Sequence, residues 1–191
     1  MKKYIPNSLT IFRIVLVPVF IWFAFISTFS DHILWATIVF ILASITDLLD
    51  GLLARKFDVV SNFGKIMDPL ADKILVISAL FALALPMIEL INIYVVYIII
   101  FRELAVSILR NQFIRKNIYL AANKWGKFKT LSQIIGIITA LVYYSILTRL
   151  FPILNDYYLT IQIIFKISFW LIAFVTIISG ISYFLPKKEE K

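Results

Sequence analysis

The chain has 191 residues, of which 62% are hydrophobic and 16% charged, and its mean hydropathy is +0.95. This composition excludes an ordinary water-soluble domain and predicts an all-α integral membrane protein with a single domain over residues 1–191. The net charge is +8, cysteine is absent and His32 is the only histidine. These counts exclude disulfides, thiolate chemistry and a histidine-rich metal site.

Six apolar segments, each long enough to cross a bilayer as a helix, follow one another along the chain. They cover about residues 9–29, 33–55, 64–86, 93–113, 125–147 and 159–185. The first is too long for a secretory signal peptide and lacks the small-residue cleavage pattern, so we interpret it as a span. Asn7 or Ser8 is the predicted cap of this helix. Arg13, near its start, either snorkels to the interface or contacts a ligand phosphate.

The basic residues are unevenly distributed between the two sides of this six-span arrangement. One side receives Lys2, Lys3, Arg55, Lys56, Arg115, Lys116, Lys124, Lys187 and Lys188. The opposite loops contain little charge beyond Asp31, Glu89, Arg149 and Asp156. The positive-inside rule therefore predicts that both termini face the cytoplasm and that the protein is a multi-pass protein of the cell membrane. Attraction to anionic lipid explains the net positive charge without any nucleic-acid partner.

Two stripes of acidic and small residues lie on the second and third predicted spans. The first consists of Asp47, Asp50, Gly51 and Ala54, and the second of Gly64, Asp68 and Asp72. The residues stand at i, i+3, i+4 and i+7 in the first stripe and at i, i+4 and i+8 in the second, so each stripe lies along one face of a helix. If the chain turns back between the spans, four carboxylates converge on one small space beside a backbone that a ligand can approach closely.

Four ionised carboxylates in one apolar setting require compensation by positive charge. Carboxylate oxygens without histidine or cysteine favour a hard cation such as Mg²⁺, Mn²⁺ or Ca²⁺ over zinc. Two ions bridged by shared acids would suit phosphoryl chemistry.

A second polar cluster lies on the fourth and fifth predicted spans. It comprises Arg102, Glu103, Arg110, Lys127 and Lys129, with Ser132 and Gln133 following on the fifth span. Charged groups at this depth usually face the bundle interior or a wet cavity. Two interpretations stay open: an ion pair that only neutralises charge, for example between Arg102 and Glu103, or a basic pocket that binds a phosphate.

Residues 47–72, which include both stripes, contain the pattern D-x2-D-G-x2-A-R-x8-G-x3-D-x3-D. Its fixed positions are filled by Asp47, Asp50, Gly51, Ala54, Arg55, Gly64, Asp68 and Asp72. This pattern resembles the signature of the CDP-alcohol phosphotransferase family. Three further segments, P-N-S-L-T-I-F-R at 6–13, R-E-L at 102–104 and G-K-F-K-T at 126–130, resemble the bacterial members that make phosphatidylglycerophosphate. The similarity covers essentially the whole chain.

The resemblance implies transfer of a phosphatidyl group from CDP-diacylglycerol to glycerol 3-phosphate, with release of CMP, at a site that faces the cytoplasm. It implies that Asp47, Asp50, Asp68 and Asp72 hold Mg²⁺ or Mn²⁺, with two ions expected, and that Asp72 is the general base. A homodimer is also implied. The donor would be bound by Asn7, Thr10, Gly51, Ala54, Arg55 and Gly64, and the acceptor's phosphate by Arg102, Arg110, Lys127 and Lys129.

Two alternatives to this assignment remain open. The same chemistry could use another acceptor, such as phosphatidylglycerol, inositol phosphate or serine, and a basic acceptor pocket favours a phosphorylated one. A cation-coupled transporter could also contain acids and arginines within its spans. Transporters more often show internal repeats, and no repeat is visible in this sequence.

Overall fold

All regular structure in the described part of the chain is helical. The computed structural model describes the backbone of residues 5–57, 62–115, 124–154 and 157–184. Side chains are described at 11–49, 67, 69–109, 112–113, 126, 128–146 and 157–180. The helices are α1 Ile5–Ile21, α2 His32–Phe57, α3 Asn62–Ala84, α4 Ile93–Arg115, α5 Lys124–Leu154 and α6 Tyr158–Phe184. A π-helical turn, Trp22–Ile26, continues α1. The all-α fold class is thereby confirmed.

The turn between α3 and α4 illustrates how polar residues end the apolar helices. Glu89 adopts a φ of 46°, the left-handed region, which a non-glycine residue occupies only with support from its surroundings. Gln162 of α6 donates a hydrogen bond to the Glu89 carbonyl at 3.0 Å, and Lys166 binds its carboxylate at 2.9 Å. Asn92 then caps α4, because its Oδ1 accepts a hydrogen bond from the backbone N–H of Tyr94 at 3.0 Å.

The described core is mainly aliphatic, and it also contains a few large aromatic rings and several very small side chains. The rings of Phe20 and Phe40 lie 5.8 Å apart at an angle of 58°, and both residues are fully buried. Ala36, Ala43 and Ala79 are also fully buried, so α2 and α3 can approach their neighbours closely.

Helix α3 packs against most of the other helices. It contacts α1, α2, α4 and α5, while α6 packs against α4 and α5. Residues of α3 therefore meet side chains from four other helices. Among the described side chains, Asp72 of α3 lies within electrostatic range of Asp47 on α2 and of Lys129 on α5.

Three helices of the described part are long and apolar enough to cross a membrane. The apolar segments are His32–Leu49, Phe128–Ile146 and Tyr158–Gly180, with a shorter one at Ile11–Ile26. Helix α6 exposes many large apolar side chains, among them Leu159, Ile163, Ile167, Trp170, Leu171 and Phe174. An apolar surface of this extent would be a liability in water but suits contact with lipid tails. The arrangement with six spans stays a prediction.

Candidate active site

The first acidic stripe meets a buried arginine from the opening helix. The guanidinium of Arg13 lies 2.7 Å from the Asp47 carboxylate, measured from Nη1 to Oδ1. The Arg13 side chain is only 1% exposed, whereas Asp47 remains 41% exposed. Arg13 therefore does not snorkel to an interface. It offsets the charge of one acid from inside the protein and leaves that acid accessible to a ligand.

The second acidic stripe lies close to the first. Asp72, on α3, is within electrostatic range of Asp47 and also of Arg13, Lys73 and Lys129. Two of the four predicted carboxylates, from two different helices, thus act on each other as the sequence pattern requires. Their surroundings include three cations, which reduce the repulsion between them.

These carboxylates have the donor chemistry that a hard divalent cation prefers. Among the residues with described side chains, no group of three or more possible ligands is gathered at one point. Asp50 lies in α2 and Asp68 in α3, and the side chains of both lie outside that described set. Asp47 and Asp72 consequently fit a hard divalent cation such as magnesium or manganese in donor type, and their role as ligands stays a prediction.

A cavity of about 80 Å³, lined by both apolar and polar side chains, opens between α3, α4 and α5. Its polar lining consists of Asp72, Lys73, Glu103, Lys129, Thr130 and Gln133. A single water needs on the order of 10–15 Å³, so this cavity has room for several waters or a small polar group. The candidate base Asp72 and the candidate phosphate ligand Lys129 therefore share one space.

Glu103 is the anion at the centre of the basic cluster. Lys129, which is buried, forms a salt bridge with the Glu103 carboxylate. The Arg102 guanidinium lies 3.7 Å from the same oxygen, Oε1. The sequence left an Arg102–Glu103 pair open as an alternative to a phosphate pocket. The structure contains this pair, and Lys129 binds the same carboxylate oxygen. The phosphate-binding role of the cluster stays a prediction.

Helix α6 holds Arg102 in place from the opposite side. Nη2 of Arg102 donates a hydrogen bond to Ser179 Oγ at 2.6 Å. The next residue, Gly180, makes room for this approach, because a Cβ added there would lie 3.1 Å from Arg102 Nε and 3.3 Å from its Cγ. The family-like motifs do not extend to α6, so this support for Arg102 was not predicted.

Lys73 is a further cation of the site that the sequence analysis missed. Its ammonium donates a hydrogen bond to Ser107 Oγ at 2.6 Å, and Ser107 in turn donates to the Glu103 backbone carbonyl at 2.6 Å. The available signal was its position directly after Asp72. Helical spacing assigns adjacent residues to different faces, but a long lysine stem can still bring the charge into the same cavity.

The remaining predicted site residues lie in helices whose side chains are not described at those positions. They are Asn7 and Thr10 in α1; Gly51, Ala54 and Arg55 in α2; Gly64 in α3; Arg110 in α4; and Lys127 in α5. Their roles stay predictions. The described members, Asp47, Asp72, Arg102 and Lys129, come from the four helices α2 to α5.

This arrangement suits a substrate that carries both an anion and a hydroxyl group. Lys73 and Lys129 line the cavity, Arg102 lies beside it, and Asp72 provides a carboxylate that can accept a proton. A phosphate placed among the cations would bring a nearby hydroxyl of the same molecule toward Asp72. The geometry thus favours chemistry at a hydroxyl group of a phosphorylated alcohol.

Comparison with known proteins supports the same kind of chemistry. The sequence model of the CDP-alcohol phosphatidyltransferase family matches residues 3–178. A protein of Bacillus subtilis is 36% identical over 200 residues, which cover 97% of this chain and 95% of the relative. Proteins of Rickettsia felis and Rickettsia bellii are 35% and 37% identical, with at least 96% of each chain covered. All three are named CDP-diacylglycerol--glycerol-3-phosphate 3-phosphatidyltransferase.

The family match spans nearly the whole chain and includes both acidic stripes and the basic cluster. The three relatives align over almost their entire lengths at identities above 30%. The chain is therefore an enzyme of the CDP-alcohol phosphatidyltransferase family.

Proposed function

We propose that the chain transfers the phosphatidyl group of CDP-diacylglycerol to glycerol 3-phosphate, giving phosphatidylglycerophosphate and CMP. The observation that carries this proposal is the cavity that Asp72, Lys73, Glu103 and Lys129 line together, with Arg102 beside it at 3.7 Å from the Glu103 carboxylate. Such a cavity suits an acceptor with a phosphate at one end and a reactive hydroxyl at the other. The names of the three bacterial relatives support the same donor and acceptor.

The reaction is a single displacement at phosphorus. The oxygen of an acceptor hydroxyl forms a bond to the phosphorus that carries the diacylglycerol, and the bond from that phosphorus to the bridging diphosphate oxygen breaks. CMP leaves with this oxygen. The hydroxyl proton passes to the Asp72 carboxylate, whose position beside the cationic cavity suits it as general base.

The four acids of the signature, Asp47, Asp50, Asp68 and Asp72, would hold Mg²⁺ or Mn²⁺, with two ions expected. When bound, such ions would neutralise the negative charge of the donor diphosphate and the charge that develops on the departing CMP. Arg13 contributes a fixed countercharge to Asp47 from the protein side. The exposure of the Asp47 carboxylate is consistent with a role as ligand.

The donor and the acceptor use different parts of the bundle in this proposal. Asn7, Thr10, Gly51, Ala54, Arg55 and Gly64 form the site of the CDP moiety. Arg102, Arg110, Lys127 and Lys129 bind the acceptor's phosphate. Arginine offers bidentate geometry for this purpose, whereas lysine offers a compact charge.

The donor also explains the apolar surface of the protein. Its acyl chains stay in the bilayer, while the nucleotide and the acceptor arrive from the cytoplasm. We therefore place six spans in the cell membrane, with both termini and the active site on the cytoplasmic side, as the distribution of basic residues favours. The functional unit in this proposal is a homodimer.

The experiment that tests this function is CMP release by the purified protein in detergent, with CDP-diacylglycerol and Mg²⁺ or Mn²⁺. Glycerol 3-phosphate, inositol phosphate, phosphatidylglycerol and serine are supplied one at a time, with a chelator control. We expect CMP release with glycerol 3-phosphate alone and its loss with chelator. Release with a different acceptor would keep the chemistry and overturn the acceptor. No release with any of them would overturn the proposed reaction.

A further inference from the structure

One polar side chain of the cavity has no function in the reaction described so far. Gln133 lies on α5, is 3% exposed and lines the cavity together with Asp72 and Lys129. Its amide nitrogen Nε2 is buried and has no hydrogen-bond partner among the residues that the structure describes. A buried amide donor without a partner is costly, so proteins rarely retain one unless another group binds there.

The position of Gln133 relative to Lys129 is fixed by the helix. The two residues stand four positions apart on α5, so they lie on the same face, with Cβ atoms about 5–6 Å apart. One therefore offers a positive charge and the other an amide donor to the same cavity, one helical turn apart. Asp72 approaches that cavity from α3.

These three groups match three features of a polyol phosphate. Lys129 suits the phosphate, Asp72 suits the hydroxyl that reacts, and the amide of Gln133 suits a further hydroxyl. Glycerol 3-phosphate carries such a hydroxyl on C2, between its phosphate and its reactive C1 hydroxyl. An acceptor without this group would leave the Gln133 amide unpaired, which is how a buried polar group discriminates between otherwise similar substrates.

We propose that Gln133 is a specificity residue that donates a hydrogen bond from Nε2 to the non-reacting C2 hydroxyl of the acceptor and thereby selects a polyol phosphate over a simple hydroxyalkyl phosphate. This inference rests on the proposed function, because it names the acceptor feature that the same site recognises. It adds a role for α5 beyond phosphate binding.

The test compares two acceptors that differ by one hydroxyl group. Glycerol 3-phosphate and 3-hydroxypropyl phosphate both contain a phosphate and a primary hydroxyl, but only the first has a hydroxyl on C2. The protein is assayed in detergent with CDP-diacylglycerol, and kcat/KM is measured for each acceptor. We expect the unaltered protein to prefer glycerol 3-phosphate by roughly 10- to 100-fold.

Gln133→Leu and Gln133→Met remove the amide and keep a side chain of similar size. We expect the preference to fall to about threefold or less, because turnover of glycerol 3-phosphate drops while turnover of 3-hydroxypropyl phosphate is retained. The matched control is Thr139→Val on the same helix, whose exposed hydroxyl bonds only to carbonyls of α5 among the described residues. This control should keep the full preference.

Several results would overturn the proposal. One is an unaltered protein that uses both acceptors equally well, a result that does not depend on whether any variant folds. Another is a Gln133 variant that keeps the full preference for glycerol 3-phosphate. A third is a Gln133 variant that loses activity with both acceptors in equal proportion. Either result would make Gln133 a structural residue that binds an internal water. Failure of the unaltered protein to use glycerol 3-phosphate at all would instead overturn the proposed function and this inference with it.

Discussion

Asp72 is the residue on which the proposed chemistry depends most directly. It lies in the cavity between α3, α4 and α5 and within electrostatic range of Asp47, Lys73 and Lys129. Asp72→Asn keeps the shape of the side chain but removes its capacity to accept a proton. We expect kcat to fall by about 10²–10⁴-fold, the usual contribution of a general base, while the protein still inserts and purifies. CMP release at matched protein concentration measures this change, and activity within tenfold of the unaltered protein would contradict the assignment.

Glu103 acts as an internal anion in the pocket that we assign to the acceptor's phosphate. It forms the salt bridge to Lys129 and lies 3.7 Å from Arg102. Glu103→Gln leaves these buried cations with less compensation, so we expect Tm in detergent to fall by about 5 °C or more. Inorganic phosphate should then raise Tm more in the variant than in the unaltered protein, because it no longer competes with a carboxylate.

The matched control for this prediction is Glu89→Gln. Glu89 also forms a salt bridge, to Lys166 at 2.9 Å, but at the turn between α3 and α4 and with an exposed side chain. Phosphate should have no greater effect on this variant than on the unaltered protein. Equal phosphate responses in Glu103→Gln and the unaltered protein would show that the cluster is not an anion pocket.

At the scale of helices, α6 contacts the Arg102 side chain through Ser179 and Gly180. A Cβ at Gly180 would lie 3.1 Å from Arg102 Nε, so Gly180→Ala should displace the guanidinium from Ser179. We expect the KM for glycerol 3-phosphate to rise by about 3- to 10-fold while the KM for the CDP donor changes little. Steady-state kinetics with each substrate varied in turn measures both values.

Gly136→Ala is the control for this substitution, since Gly136 also lies at a contact with α6. Its added Cβ would meet Ile172 Cδ1 at 2.9 Å, which is the end of a flexible side chain that can move. The acceptor KM should therefore stay unchanged in this control. The same acceptor KM in both variants would mean that α6 does not position Arg102 for binding.

The apolar runs of the sequence predicted the helices well, since each helix coincides with a predicted span to within a few residues at most ends. The spacing of the acids also predicted that α2 and α3 present carboxylates to each other, as Asp47 and Asp72 do. The clear extension is α5, which continues through Leu154 beyond the predicted end of its span. Helical periodicity is a local property, so it predicts such features directly.

Contacts between distant helices could not be predicted in this way. The burial of Arg13 against Asp47 depends on how α1 packs on α2, which no pattern within either helix determines. The hydrogen bond from Arg102 to Ser179 likewise needs α4 and α6 side by side. The role that we propose for Gln133 likewise rests on a cavity built by three helices. Tertiary packing therefore decides which polar residues of a span belong to the site.

At the scale of the whole molecule, the proposed orientation is testable because the chain has no cysteine. Ser30→Cys places a thiol in the exposed link between the π-helical turn and α2, and Lys187→Cys places one near the C-terminus. The positive-inside rule predicts that a membrane-impermeant maleimide labels Ser30→Cys in intact cells and labels Lys187→Cys only after lysis. Labelling of both before lysis, or of Lys187→Cys alone, would contradict the proposed orientation.

The proposed reaction joins a lipid donor in the bilayer to an acceptor in water, so the most direct test uses the purified protein in liposomes. Radiolabelled glycerol 3-phosphate is added with Mg²⁺ or Mn²⁺ to liposomes with or without CDP-diacylglycerol, and label is counted in the lipid extract. We predict that label enters the lipid fraction only with CDP-diacylglycerol, in equal amount to the CMP released, and not with Asp72→Asn. CMP release without label in lipid would contradict phosphatidyl transfer to this acceptor.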